Sequence, residues 1–248
     1  MEVHHHPDLH HRRKKFKEYF LEFLMIFMAV TLGFLAESLR ENISDKNKEK
    51  EYIASFINNL KDDTAQFNEV LRENDAKIDT LRKLILLSRG NLADTGIRRA
   101  IYRDIGRAVG YYSVFKSNDA TMMQLKNSGG LRLIRRDHVA DSIAQYDSQV
   151  KAIYGAEEMY MTSSDAAESA TQEVLDYTIY TDTAYWRNGH LAKALLPFLS
   201  DDPKKIRWMF NKIEYEVGGT QNYLTNIRER LPSINRLIHY LQREYDIE

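Results

Sequence analysis

The stretch YFLEFLMIFMAVTLGFLA, residues 19–36, decides what kind of chain this is. Glu22 is its one charge, and Phe23 to Ala36 is uninterrupted. At 1.5 Å per residue a helix of this length covers about 27 Å. That is just short of the about 30 Å hydrocarbon core of a bilayer, and flanking aromatic and snorkelling side chains close the difference. Two other readings compete. A cleaved signal peptide shares the basic start and apolar run, but the segment ends in AESLREN, without a small-residue cleavage pattern, and its polar preface is long. A buried core helix is compatible with fourteen uncharged residues. The adopted reading is a single transmembrane helix over residues 19–36.

The flanks set the expected orientation. Residues 1–18, MEVHHHPDLHHRRKKFKE, hold five of the eight histidines and then Arg12, Arg13, Lys14, Lys15 and Lys17. The far flank has Arg40, Lys46, Lys48 and Lys50, three of them about ten residues away from the span. Basic residues next to a span favour the cytoplasmic side. The expected organisation is a cytoplasmic His-rich basic tail (1–18), the span (19–36) and an extracytoplasmic, periplasmic helical bundle (37–248). The expected location is a bacterial inner membrane.

Two features inside the span are candidate contacts. Glu22 lies about one turn inside the interface, where an acid either meets a partner or snorkels toward Lys15 or Lys17. Ala29, Gly33 and Ala36 share one face at a spacing that permits close helix approach.

Beyond the span the apolar positions step by four and three: Ile53, Ile57, Leu60, Thr64, Phe67, Leu71, Asn74, Ile78, Leu81, Ile85. This heptad seam predicts helix-on-helix packing, with Thr64 and Asn74 as register-setting polar exceptions. A kink or fray is expected at Asn42–Asp45, and Gly90 is expected to cap this helix in the left-handed region. A second helix is expected from Asp94 to Phe115, on the face Ile97, Ile101, Ile105, Ala108, Tyr112, Phe115. A short helix through Lys126 and the loop Asn127-Ser128-Gly129-Gly130 follow. A third helix should run from Asp137 to about Tyr180, and a shorter one over 184–199. Asp202-Pro203 starts the last helix, whose seam runs from Ile206 to Tyr245, with Pro232 expected to kink or interrupt it. The fold class is all-α: one transmembrane helix continuing into an antiparallel bundle of long helices.

Composition excludes several classes. There is no cysteine, so disulfide scaffolds and thiol chemistry are absent. Thirty-five basic against 36 acidic residues leave no global charge for nucleic acid. Eleven Gly and four Pro are too few for a disordered chain or a strand-and-turn sandwich.

The opening MEVHHHP, the basic run, FKEYFLEFLMIFMAVTLGFLAESLRE, KEKEYI and the later QLKNSGGLRLIRR resemble a family of uncharacterised bacterial single-span membrane proteins with a helical extracytoplasmic region. The resemblance implies that the histidines belong to the natural chain and that the chain is membrane-anchored. It brings no activity with it.

Motifs for nucleotide binding, zinc proteolysis and serine hydrolysis are missing. His138, His190 and His239 are far apart in sequence, and the tail HHHPDLHH offers only a loose, unselective set of imidazoles. No catalytic residue, metal site or cofactor is therefore expected. Gly129 and Gly130 with Arg132, Arg135 and Arg136 form a candidate anion or partner site, through backbone N–H groups and guanidinium charge. The structural alternative has Gly129 capping the short helix while Leu131, Leu133 and Ile134 plug the bundle. The tyrosine-rich stretch Tyr154, Tyr160, Tyr177, Tyr180, Tyr185 and Trp186 could line a ligand pocket or a partner surface, and is read instead as padding of a core thinned by small residues.

The functional expectation is a membrane-anchored scaffold or accessory subunit. It would contact itself or a larger inner-membrane complex, without catalysis and without nucleic acid. A periplasmic ligand-sensing bundle that signals through a partner is the alternative.

Overall fold

The computed structural model describes residues 15–127, 129–182, 186–187, 190–191 and 196–247. The helices are α1 (Phe16–Leu87), α2 (Thr95–Ala108), α3 (Ala120–Asn127), α4 (Asp137–Gln172) and α5 (Pro203–Tyr245). Two-residue strands, β1 (Trp186–Arg187) and β2 (His190–Leu191), pair antiparallel. The fold is all-α, and the chain divides into two units, residues 1–50 and 51–248.

In the first unit α1 passes through Asn42–Asp45 without a break. Asn42 donates its amide to Ser38 O at 2.9 Å, so its local hydrogen bond adds to the helix instead of competing with it. An eighteen-residue window here has a mean hydropathy of 2.0 and is 0 % buried. The consecutive residues Phe23, Leu24, Met25 and Ile26 are all exposed, so the helix is apolar all round. Ala29 and Ala36 are exposed and no atom comes within 4 Å of a Cβ built on Gly33; Glu22 is part-buried.

The second unit makes four passes, and partner numbers fix their directions. Along α1, Asp63, Asn74 and Lys77 meet Tyr146, Tyr160 and Ser164 of α4, so these helices run parallel. α5 opposes both: Ser233 meets Gln149 and Asn222 meets Met159. Between α1 and α4 the chain returns through α2 and an extended strap, residues 111–119. The predicted seams point inward. Ile53, Ile57, Leu60, Phe67 and Leu81 of α1 are buried against Ile143 and Ile153 of α4 and Ile213, Leu224 and Ile227 of α5.

Several expected boundaries move. The second pass is half helix: α2 stops at Ala108, and residues 111–119 carry no helix. The third helix ends at Gln172, followed by a 3-10 turn at Tyr177–Tyr180. A helix over 184–199 is replaced at 186–187 and 190–191 by the two strands, and Leu196 to Ser200 are non-helical; the rest of that stretch lies outside the described residues. The dipeptide Asn188-Gly189 between the strands is a hairpin signal, and Pro197 disfavours a continuing helix. Gly90 is not left-handed; Ser88 closes α1 instead, donating Oγ to Ile85 O at 2.6 Å. α5 continues through Pro232. Its start is as expected, with Asp202 accepting from Lys204 N at 2.9 Å and Pro203 in the first turn.

The α4–α5 contact is close at one point. A Cβ on Gly219 would sit 2.0 Å from Ser163 Oγ and 2.9 Å from Ser163 Cβ. The serine is held there by its bond to Tyr160 O, 2.8 Å. A Cβ on the neighbouring Gly218 meets nothing within 4 Å. Gly218→Ala should therefore stabilise by up to about 1 kcal/mol through helix propensity. Gly219→Ala should destabilise by about 1–2 kcal/mol, because overpacking exceeds that same gain. Denaturant titrations of the two variants read the opposite signs; equal stabilisation would contradict this helix approach.

Candidate functional site

The strap is where the second unit concentrates its polar side chains. Val109, Val114 and Phe115 are β-branched or aromatic, and Gly110 sits at φ +73. A left-handed residue there ends α2 and releases an extended segment. An extended chain inside a helical bundle has no ladder partner, so its backbone groups need side chains. Tyr111 O accepts from Lys77 Nζ at 2.5 Å and Ser113 O from Asn74 Nδ2 at 2.9 Å. Phe115 N donates to Tyr223 Oη at 2.9 Å and Lys116 N to Gln66 Oε1 at 2.5 Å. Ser117 N donates to Tyr154 Oη at 3.1 Å. Asp63 receives Asn118 N at 2.8 Å and Ser117 Oγ at 3.0 Å, and also the Tyr146 hydroxyl. Burial and the Asp63 carboxylate push the Tyr146 phenol well above its usual range, which keeps it a donor.

Below the strap lies an ion pair. Lys77 Nζ is 2.8 Å from Glu216 Oε1, with their side chains 4 % and 0 % exposed. The ammonium also reaches Tyr160 Oη and Ser164 Oγ, each at 3.2 Å, and stands 4.7 Å over the Tyr160 ring. Tyr160 in turn donates to Asn74 Oδ1 at 2.7 Å and stacks on Tyr223 at 5.2 Å. Burial lowers the Lys77 pKa, with Glu216 opposing that shift. Burial likewise raises Glu216, opposed first by Lys77 and then by the Ser164 hydroxyl and the Gly110 amide. Both directions express the cost of holding charge out of water. Three side chains, Glu216, Tyr160 and Ser164, and the Tyr111 carbonyl surround this amine. The arrangement is a clasp that binds strap to helices.

At the other end, Tyr102 and Tyr180 bond backbone groups, and the Tyr177 hydroxyl meets that of Thr171 at 2.6 Å. Tyr102 Oη donates to Pro197 O at 2.6 Å and accepts from Asp176 N at 2.9 Å; Tyr180 Oη donates to Tyr102 O at 2.6 Å. Trp186 and Tyr185 side chains lie outside the described residues.

The glycine turn holds one left-handed residue. Gly129 has φ +69, and Gly130 is buried at the start of a 3-10 turn, Gly130–Arg132, with no positive φ. Ile134 is buried and Leu131 packs on the core, while Leu133 is only partly covered. Arg132 and Arg135 are exposed. Arg136 bonds the Glu244 carboxylate at 2.6 Å and lies 4.5 Å over the Tyr245 ring, which ties the start of α4 to the end of α5. No group of three or more His, Asp or Glu able to hold a metal occurs among the described residues, and the tail histidines lie outside them.

Gly129→Val should cost about 1–3 kcal/mol, since no neighbour crowds that position and the loss is backbone strain alone. Arg135→Ala should change stability by under about 0.5 kcal/mol. Thermal melts of both check this, and an unchanged melt for the valine variant would contradict a required left-handed turn.

The fold defines a class: an all-α chain with one helix apolar and long enough to cross a membrane and a bundle whose return pass is partly extended. No protein-family model, no curated protein and no solved structure matches the chain.

Proposed function

We propose that this protein is a membrane-anchored helical scaffold or accessory subunit that works through protein contacts and not through catalysis. The observation that carries the reading is the N-terminal half of α1, whose apolar window holds no buried residue. An all-round apolar helix of that length is costly in water and favourable in a bilayer. The basic cluster Arg12–Lys17 supports a cytoplasmic N-terminus, with residues 37–248 on the periplasmic side of a bacterial inner membrane. Ala29, Gly33 and Ala36 leave one face of the span open to a second helix, from another copy or from a larger inner-membrane complex.

A contact surface on the bundle is consistent with the same role. Trp208 is 50 % and Tyr215 is 43 % exposed on α5, with Lys212 lying 4.4 Å over the Trp208 ring. Exposed Trp and Tyr are the residues that dominate binding energy at protein interfaces.

Reporter fusions test the topology. A C-terminal alkaline phosphatase should be active and a C-terminal GFP dark. An inactive phosphatase with a bright GFP would reverse the orientation, and full extraction of the chain by carbonate would remove the anchor altogether.

A further inference from the structure

The geometry points to a second site on the bundle: the cavity between α1, α3 and α4 binds a small zwitterion with an aliphatic side chain, of the size of a free α-amino acid. The cavity holds about 290 Å³. At about 30 Å³ per water-sized group that is room for about ten non-hydrogen atoms.

Its surface is divided by chemistry. Phe56, Met122 and Val150 give an apolar floor. Charge is confined to the remaining lining. Lys126 and Lys151 share one carboxylate, Asp147, at 2.5 and 2.9 Å. Each ammonium carries three N–H groups, so two lysines on one carboxylate keep donors to spare. Asp119, also on the lining, makes no side-chain hydrogen bond or ion pair with the described residues. Tyr154 accepts from Ser117 N at 3.1 Å and retains its own hydroxyl proton to donate.

The four charged side chains sum to zero, two lysines against two aspartates. A monovalent acid or amine would leave one sign of this lining without an answer, whereas a zwitterion answers both. Its carboxylate would meet Lys126, Lys151 and the Tyr154 hydroxyl, and its ammonium would meet Asp119. The apolar group would cover Phe56, Met122 and Val150. Small-molecule sites commonly combine an apolar body with a few placed polar groups in this way. Because Ser117 to Asp119 form one wall, an occupant would also brace the end of the strap. This inference does not depend on the anchoring proposal, and either can fail alone.

The full-length chain in mild detergent is the test object, and thermal melting is the readout. Three probes of one shape separate the charges: L-leucine, 4-methylpentanoate, which lacks the amine, and isopentylamine, which lacks the carboxylate. L-Leucine at about 10 mM should raise Tm by about 2 °C or more, as a ligand binding only the folded state does. The other two should give less than half of that. Val150→Phe fills the floor and should abolish the leucine shift. Asp119→Asn, at an exposed position that leaves folding intact, should reduce it to the level of 4-methylpentanoate. No shift with any probe would overturn the site. Equal shifts with all three would overturn the zwitterion assignment, and a leucine shift that survived both variants would place binding elsewhere.

Discussion

Lys77→Ala should destabilise the bundle by about 3–5 kcal/mol, the usual cost of stranding one member of a buried ion pair. Glu216 would then be a fully buried carboxylate with no cation, and Tyr111 O, Tyr160 and Ser164 would lose a shared donor. Glu216→Ala should cost a similar amount by leaving the ammonium unpaired. The double variant Lys77→Met/Glu216→Leu removes both charges and keeps the volume, and should recover most of the loss, since hydrophobic replacement of a buried pair is often neutral or better. Full recovery is not expected, because Tyr111 O keeps no donor. The pH dependence has a sign for each partner. Glu216, raised in the fold, contributes stability that is complete below its ordinary range near 4.5 and lost as pH rises through its folded value. Lys77, lowered in the fold, contributes stability that is complete above its ordinary range near 10.5 and lost as pH falls through its folded value. The double variant should therefore show a flatter stability profile between these limits. Chemical denaturation of the three variants across pH checks both statements. Additive losses in the double variant would mean that the two groups do not interact.

Much of the frame is visible in residue spacing, and the particular residues show why the rest is not. The α1 and α5 seams repeat every three to four residues because each helix meets its neighbours along its whole length, so Ile53 to Leu81 and Ile213 to Leu241 declare themselves. Asn74, a polar exception in the seam, is fully buried and bonds both Tyr160 and the strap. Thr64, its counterpart, has a buried hydroxyl with no hydrogen-bond partner, and it does not bond another helix. The strap was hidden because Tyr112 and Phe115 continue the helical spacing of Ile101, Ile105 and Ala108 into a segment that is not helical. What overrides the periodicity is local: Gly110 in the left-handed region, and a β-branched and aromatic run after it. Lys77 and Glu216 were illegible for a different reason. Each looks like an ordinary solvated charge in its own helix, and only the closing of α1 on α5 brings their atoms to 2.8 Å.

Phe115→Ala should cost about 3–5 kcal/mol, and it tests whether the strap belongs to the core. The ring is 0 % exposed, stacked on Phe67 at 4.0 Å between centroids and flanked by Tyr154 at 6.2 Å. Its own backbone N–H is held by Tyr223, whose ring stacks on Tyr160, so the side chain and the main chain of one residue join α1, α4 and α5. Truncation would remove the aromatic contact and leave a cavity that the packed side chains around it fill only in part. Phe115→Leu retains apolar volume and should lose less, about 1–2 kcal/mol. Hydrogen exchange discriminates further. In the alanine variant the amides of residues 111–118 should lose protection before those of α4 and α5, as a low-stability segment does. If the strap were a surface loop, Phe115→Ala would melt like the parent chain and exchange along 111–118 would already be fast in it. Either result would remove the strap from the core and with it the reason for burying Lys77.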